Sequence, residues 1–238
     1  DSDAYPKEDW LSNASGLLTR HASIGCLGGP NHVPPESPVL QRIGTRILFS
    51  KLGVGSFPVK PMSEELLEVK EMASSNLIVR RELLIALGGF DVTLLTAEDA
   101  RLCFQVQQAG YRVVFSHNVE VFHHPRSFPW PFLRSIFQYG RDKAWLLKDM
   151  FSLDKSFYFI PTVFVLGLLL GGVGAYFLPA LRIPYGAALT LYGGAVCIQS
   201  AFFGSVHEAL LGLLGIPATH ITYGIGFFVG LITRRKKS

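Results

Sequence analysis

The 238-residue chain changes character at one point. Between Phe157 and Ile232 its only Asp, Glu, Lys or Arg side chains are Arg182 and Glu208, whereas before Ser156 apolar and charged residues alternate as in a globular domain. A chain divided in this way has to fold against two solvents, water for the first part and lipid for the second. The averages, 49% hydrophobic and 17% charged, conceal the division. Stretches 157–178 and 183–203 are each long enough, at about 1.5 Å of rise per residue, to cross about 30 Å of hydrocarbon. A third, 209–232, is interrupted by Pro217 and by Thr219, His220 and Thr222, which predicts a kinked span or a re-entrant segment.

The charge pattern narrows the partners. Of the net charge of +4, Arg234, Arg235, Lys236 and Lys237 form one cluster at the C-terminus, so the balance gives no basic face for nucleic acid. A short basic run beside an apolar segment is a membrane-flanking anchor, and a lipid bilayer is the expected partner. Residues 132–150 interleave aromatic and aliphatic side chains with Arg134, Arg141, Lys143 and Lys148, a pattern that predicts helices lying at the bilayer surface. Three crossings would put the basic tail opposite the soluble part, against the positive-inside tendency. Cys26, Cys103 and Cys197 have no metal-ligand spacing and read as small apolar residues. A transporter built from the apolar half would need polar groups within its spans, and these are scarce.

Along the soluble part, 9–18 predicts a helix and 22–27 a buried strand, ended by the turn Gly28-Gly29-Pro30. The prolines and glycines of 31–62 predict a mobile loop over a site, with a modest helical stretch near 39–52. A short strand is expected over 76–79, and a helix over 81–87 that stops at Gly88-Gly89. Another helix starts near Glu98 and stops at Gly110, and strands are expected over 111–115 and 119–122 around a His117-Asn118 turn. Helices and strands mix in one layer system, so the soluble part is α/β.

Asp1-Ser2-Asp3 places two carboxylates at alternate positions, where a turn after a strand can aim both at one hard cation and the phosphate oxygens it holds. Asp1 through Pro6, followed by Asp9-Trp10-Leu11, resembles the metal-binding segment of family 2 glycosyltransferases with the GT-A fold. The resemblance continues in order through Gly28-Gly29-Pro30-Asn31, through Ser75-Asn76-Leu77-Ile78-Val79-Arg80-Arg81, and through Gly88-Gly89-Phe90-Asp91. Glu98-Asp99-Ala100-Arg101-Leu102, Gly110-Tyr111-Arg112-Val113 and Val121-Phe122-His123-His124 complete it.

The resemblance implies a truncated GT-A domain of Rossmann-like α/β type over 1–126, interfacial helices over 127–156, and a transmembrane region over 157–238 with two or three helices. It implies transfer of a sugar, with inversion, from a nucleotide-diphosphate donor to a glycan or lipid-linked acceptor at the cytoplasmic face of the cell membrane. Asp3 and Asp1 would hold the donor through Mn2+ or Mg2+, with His123 or His124 as further ligands. Asp99 is the candidate base, at a helix N-terminus where backbone amides and the dipole position a carboxylate; Glu98 is its helper or rival. Gly88, Gly89, Phe90 and Asn76 would shape the acceptor pocket, since glycine permits close approach and an aromatic face suits a sugar ring. Arg80, Arg81 and Arg141 are candidate phosphate contacts. Because Asp1 opens in mid-motif, we expect an upstream portion with the first strands and the nucleobase contacts, without which the chain alone should not catalyse. The rival reading is a membrane scaffold or degenerate transferase that has kept the fold and lost the chemistry.

Overall fold

A computed structural model describes residues 3–53, 66–150 and 153–235. Along the chain it forms β1 (Ala4–Pro6), α1 (Trp10–Arg20), β2 (Ile24–Gly28), β3 (Asn31–His32), α2 (Val39–Leu48), β4 (Leu66–Glu68), β5 (Leu77–Val79), α3 (Arg81–Ala86), α4 (Glu98–Gln108), β6 (Arg112–Ser116), β7 (Val121–His123), α5 (Trp130–Asp149), α6 (Ile160–Phe177), α7 (Arg182–Ala201) and α8 (Val206–Ile232). The chain divides into two compact units. One takes in Asp1–Ser37 and Pro58–Pro125, the other Pro38–Phe57 and Arg126–Lys237.

The first unit is mixed α/β. Its four-stranded sheet has the order β4-β6-β2-β5, and its three-stranded sheet the order β1-β7-β3. Every residue of β2 is buried, which is why this strand reads as an unbroken apolar run, and it pairs parallel to β6 and antiparallel to β5. Ala14 and Leu17 of α1 pack with Ile24, Leu27, Val114 and Val119 in the core. The Gly28-Gly29 pair is required by close approach. A Cβ on Gly28 would lie 2.1 Å from the Asn76 carbonyl oxygen, and one on Gly29 would lie 2.2 Å from that of Val119.

The strands expected on either side of the His117-Asn118 turn form as β6 and β7 and belong to different sheets: β6 joins the four-stranded one and β7 the three-stranded one. β1 and β4 were not expected, because three residues are too few to show an alternation. The stretch 31–62 is no mobile loop where it is described, for it supplies β3 and then α2, whose Ile43 and Ile47 are fully buried in the second unit.

In the second unit α8 is the central element. It runs unbroken for 27 residues through Pro217, which removes the N–H that would bond Leu213 without ending the helix. Its neighbours approach to backbone contact, and glycine makes this possible. An added Cβ would lie 2.2 Å from Phe137 O at Gly226, 2.4 Å from Pro161 O at Gly224 and 2.4 Å from Arg141 O at Gly230. Gly140 of α5 repeats the arrangement from the other side, 2.4 Å from Tyr223 O. Ser205 and Glu208 form a capping box at the N-terminus of α8, and Arg46 of α2 donates to Glu208 Oε2 at 2.8 Å. Three helices, Ser156–Phe177, Pro179–Ala201 and Val206–Ile232, are long and apolar enough to cross a membrane.

Residues 130–149 form one helix, α5, rather than several. Its basic groups are partly turned inward. Lys148 Nζ donates to Gly230 O and Thr233 O, each at 2.8 Å, while Arg141 pairs with Asp142 at 2.8 Å and lies over the Trp145 ring.

Candidate functional site

Pairing of β1 with β7 sets Ala4 opposite His123 and Tyr5 opposite Phe122. Asp3 therefore stands at the strand end beside the histidine pair. His124 N donates to Asp3 O at 2.8 Å, and His123 Nε2 lies 3.6 Å from Asp3 Oδ1. Both side chains are partly exposed. Strand pairing thus brings together residues from opposite ends of the soluble sequence. Asp1 lies outside the described residues. Among the described residues no three His, Cys, Asp or Glu side chains cluster as a metal site. Two ligands completed by water and diphosphate oxygens are nonetheless the usual way a protein holds Mg2+, and the oxygen and imidazole donors of Asp3 and His123 suit Mg2+ or Mn2+.

At the opposite end of the β1–β7 pair, Glu120 joins all three strands. Its Oε2 accepts from Lys7 Nζ at 2.8 Å and meets His32 Nε2 at 2.5 Å. Burial by itself raises the Glu120 carboxyl, but the hydrogen bonds from Lys7 and His32 outweigh it and hold the group below the ordinary carboxylate value. Tyr5 stacks on Phe122 with ring centroids 5.2 Å apart.

Asp99 and Glu98 open α4, whose N-cap is Ala97 and has no side-chain cap bond. Asp99 Oδ1 accepts from Ala100 N at 2.7 Å, and its Oδ2 accepts from Ser74 N at 3.1 Å. The second bond leaves the helix, so Asp99 does more than serve its own helix end. Glu98 Oε2 is buried and has no hydrogen-bond partner. Leaving such an oxygen unpaired costs about 1–3 kcal/mol. Beneath Asp99, on the same face of α4, the Cys103 thiol is pushed up by its hydrogen bond to Cys26 and then by burial, and it stays protonated.

The short turn Ser74–Asn76 connects these pieces. Ser74 N binds Asp99, Ser75 Oγ accepts from Asn31 Nδ2 at 3.0 Å, and Asn76 Nδ2 donates to Val119 O at 2.7 Å and to Pro30 O at 3.3 Å. Asn76 Oδ1 accepts from Trp10 Nε1 at 3.0 Å. Three consecutive residues thus tie the α4 carboxylate to the ends of β3 and β7. Sequence reading missed this turn, although a Ser-Ser-Asn run ahead of a strand is itself a turn signal.

Several candidates occupy different roles in the structure. Asn76 is buried and its amide is spent on the protein, so it braces the site from behind. Arg80 donates from Nε to Ile24 O at 2.6 Å and from Nη2 to Leu18 O at 2.7 Å and His21 O at 3.1 Å, closing the C-terminal end of α1. Arg81 is exposed at the start of α3. Arg141 belongs to the second unit. Gly88 and Gly89 both take left-handed conformations, with φ of +82° and +78°, and end α3 through bonds to Ile85 O and Leu84 O. Phe90 is exposed on the turn that follows, and Asp91 ties that turn to α4 through Arg101 at 3.1 Å.

No family model matches the chain. Over 67 residues it is 33% identical to the Succinoglycan biosynthesis protein ExoA of Rhizobium meliloti (strain 1021). That stretch covers 28% of this chain and 20% of the relative's length.

Proposed function

We propose that the chain is the acceptor-side and membrane-anchoring part of a glycosyltransferase of polysaccharide or glycolipid biosynthesis. The observation that carries this reading is the meeting of Asp3 with His123 through the β1–β7 pairing, on a sheet tied by one turn to Asp99. The similarity to a succinoglycan biosynthesis protein supports the same class of product.

In this reading a nucleotide-diphosphate sugar lies with its diphosphate toward Asp3 and His123. A bound divalent cation would neutralise charge on the leaving diphosphate. The acceptor hydroxyl sits against Asp99, which takes its proton as the acceptor oxygen bonds to the anomeric carbon. The bond from that carbon to the phosphate oxygen breaks on the opposite face, and the electron pair leaves with the nucleoside diphosphate. The anomeric centre is inverted. A hydroxyl acceptor is favoured because a phosphate acceptor is already ionised at neutral pH and gains little from a base. Phe90, exposed on the turn before α4, gives the acceptor an aromatic face.

The test is sugar transfer by membranes holding the intact protein, supplied with a panel of labelled nucleotide sugars and Mn2+. Asp99→Asn is expected to lower transfer by about 10²–10⁴-fold, the usual worth of a positioned base. Undiminished transfer by that variant would refute the base, and no transfer from any donor would favour the scaffold.

A further inference from the structure

The third apolar helix has neighbours that a membrane span would not tolerate. α5 and α8 run side by side in the same direction. Gly226 packs on Phe137, Gly230 packs on Arg141 and Ala144, Trp145 bonds to Thr233 at 3.3 Å, and Arg235 pairs with Asp149 at 3.3 Å. Residue numbers rise together along both helices, so the second half of α8 shares its depth with α5. Yet beside that half α5 carries an exposed Arg134 together with Arg141, Asp142 and Lys143, and Lys148 and Asp149 follow at the level of Thr233 and Arg235. Exposed charges of both signs are expelled from hydrocarbon. A helix fixed along such a neighbour cannot cross the bilayer there.

The hairpin formed by α6 and α7 gives the complementary observation. It meets α8 only near its base: Thr162 Oγ1 bonds to Gly224 O at 2.9 Å, Phe164 lies 5.9 Å from His220, and Tyr192 bonds to His220 at 2.9 Å. Towards the tip, residues such as Leu170, Val173, Tyr176, Ile183 and Leu191 are bare. Over an apolar 18-residue stretch of each hairpin helix only 6% of the residues are buried against protein, compared with 44% for α8. A third span would cover one side of the hairpin along its length. Instead Phe157, Tyr158, Tyr192 and Tyr223 gather at the hairpin base, and aromatic side chains of this kind mark the level of the head groups.

The outward face of α8 is an apolar stripe at helical spacing: Leu210, Leu214, Ile221, Ile225, Phe228 and Ile232. We infer that α8 lies in the plane of the membrane surface with this stripe immersed at the head-group boundary. Only the α6–α7 hairpin then crosses, and Arg234 and Arg235 stay on the same side of the bilayer as α5. This in-plane placement removes the conflict with the positive-inside tendency and does not depend on the transferase reading.

Depth measurement on the full chain in phosphatidylcholine–phosphatidylglycerol vesicles tests it. Leu214→Cys and Phe228→Cys, each in a Cys197→Ser background and carrying an environment-sensitive fluorophore, are quenched by lipids spin-labelled at graded depths. Fourteen residues of a crossing helix would separate the two labels by about 20 Å. Equal, shallow depths are expected, with Leu169→Cys, at the middle of α6, deep as the reference; depths differing by about 20 Å would overturn the inference. Sidedness gives an independent reading in sealed vesicles treated with an impermeant maleimide. Ser238→Cys should label together with Arg134→Cys and opposite to Ala180→Cys at the hairpin tip. Labelling together with Ala180→Cys would overturn it equally.

Discussion

Asn76 ties together separate parts of the first unit, because its amide meets Trp10, Pro30 and Val119 at once. Asn76→Ala strands the buried Val119 carbonyl and the part-buried Trp10 indole N–H and Pro30 carbonyl, and since an unpaired buried group costs about 1–3 kcal/mol, a loss of about 2–3 kcal/mol is expected in urea denaturation. Arg80 is similar. Arg80→Met should lower stability by about 1–3 kcal/mol through its three carbonyl partners, while the KM for any donor is unchanged. Both residues stood in the sequence as contacts to substrate, and nothing local distinguishes an asparagine or arginine that faces a ligand from one that binds backbone. Asp3 and the histidine pair are brought together by the β1–β7 pairing, which their places at opposite ends of the soluble sequence could not show. Glu120 adds a dependence on pH. Its folded-state value lies below the unfolded one, so the stability it contributes is present at neutral pH and is lost as pH falls through the folded value, below the ordinary carboxylate range. Glu120→Gln should be less stable than wild type at pH 7, and the two melting curves should converge in acid.

Among the elements, glycine decides where α8 can be packed. Gly226→Ala would place a Cβ on Phe137 O and Gly140→Ala would place one on Tyr223 O, and backbone atoms cannot swing aside as side chains do. Each is expected to cost about 1–3 kcal/mol, the usual range for overpacking, and to lower the melting temperature in detergent. Gly193→Ala, on the open face of α7, should be silent by comparison. The apolar length of 209–232 was legible, and so were α1, β2, α4 and the stop at Gly88-Gly89. The continuity of α8 through Pro217 was not, because a proline is read as a break unless the packing that supports the helix on both sides is known. β1, β3 and β4, at two or three residues each, are defined by their partners rather than by any pattern of their own.

At the scale of the molecule, the sequence shows the change of solvent at Phe157 but not the division into units. The second unit begins at Arg126 and also claims Pro38–Phe57 from within the first. The claim rests on Ile43 and Ile47, which pack with Phe128, Phe132 and Ile216, and on Arg46 with Glu208. A periodicity search finds the amphipathic face of α2, but its partners lie far along the chain. A chain ended at Pro125 would expose that face. It should aggregate, and Ile43→Ser with Ile47→Ser should restore much of its solubility, as size-exclusion chromatography would show. In the full chain, Ile47→Ala should cost about 2–5 kcal/mol.

Arg46 is made 162 residues before the glutamate that receives it. At the ordinary pace of translation, about 5–20 residues per second, α2 spends on the order of ten to thirty seconds outside the ribosome without its partner. Until Phe128 and Phe132 emerge its oily side has to be sheltered by a chaperone or by the nearest lipid surface, and Ile216 and Glu208 of α8 complete the cover later.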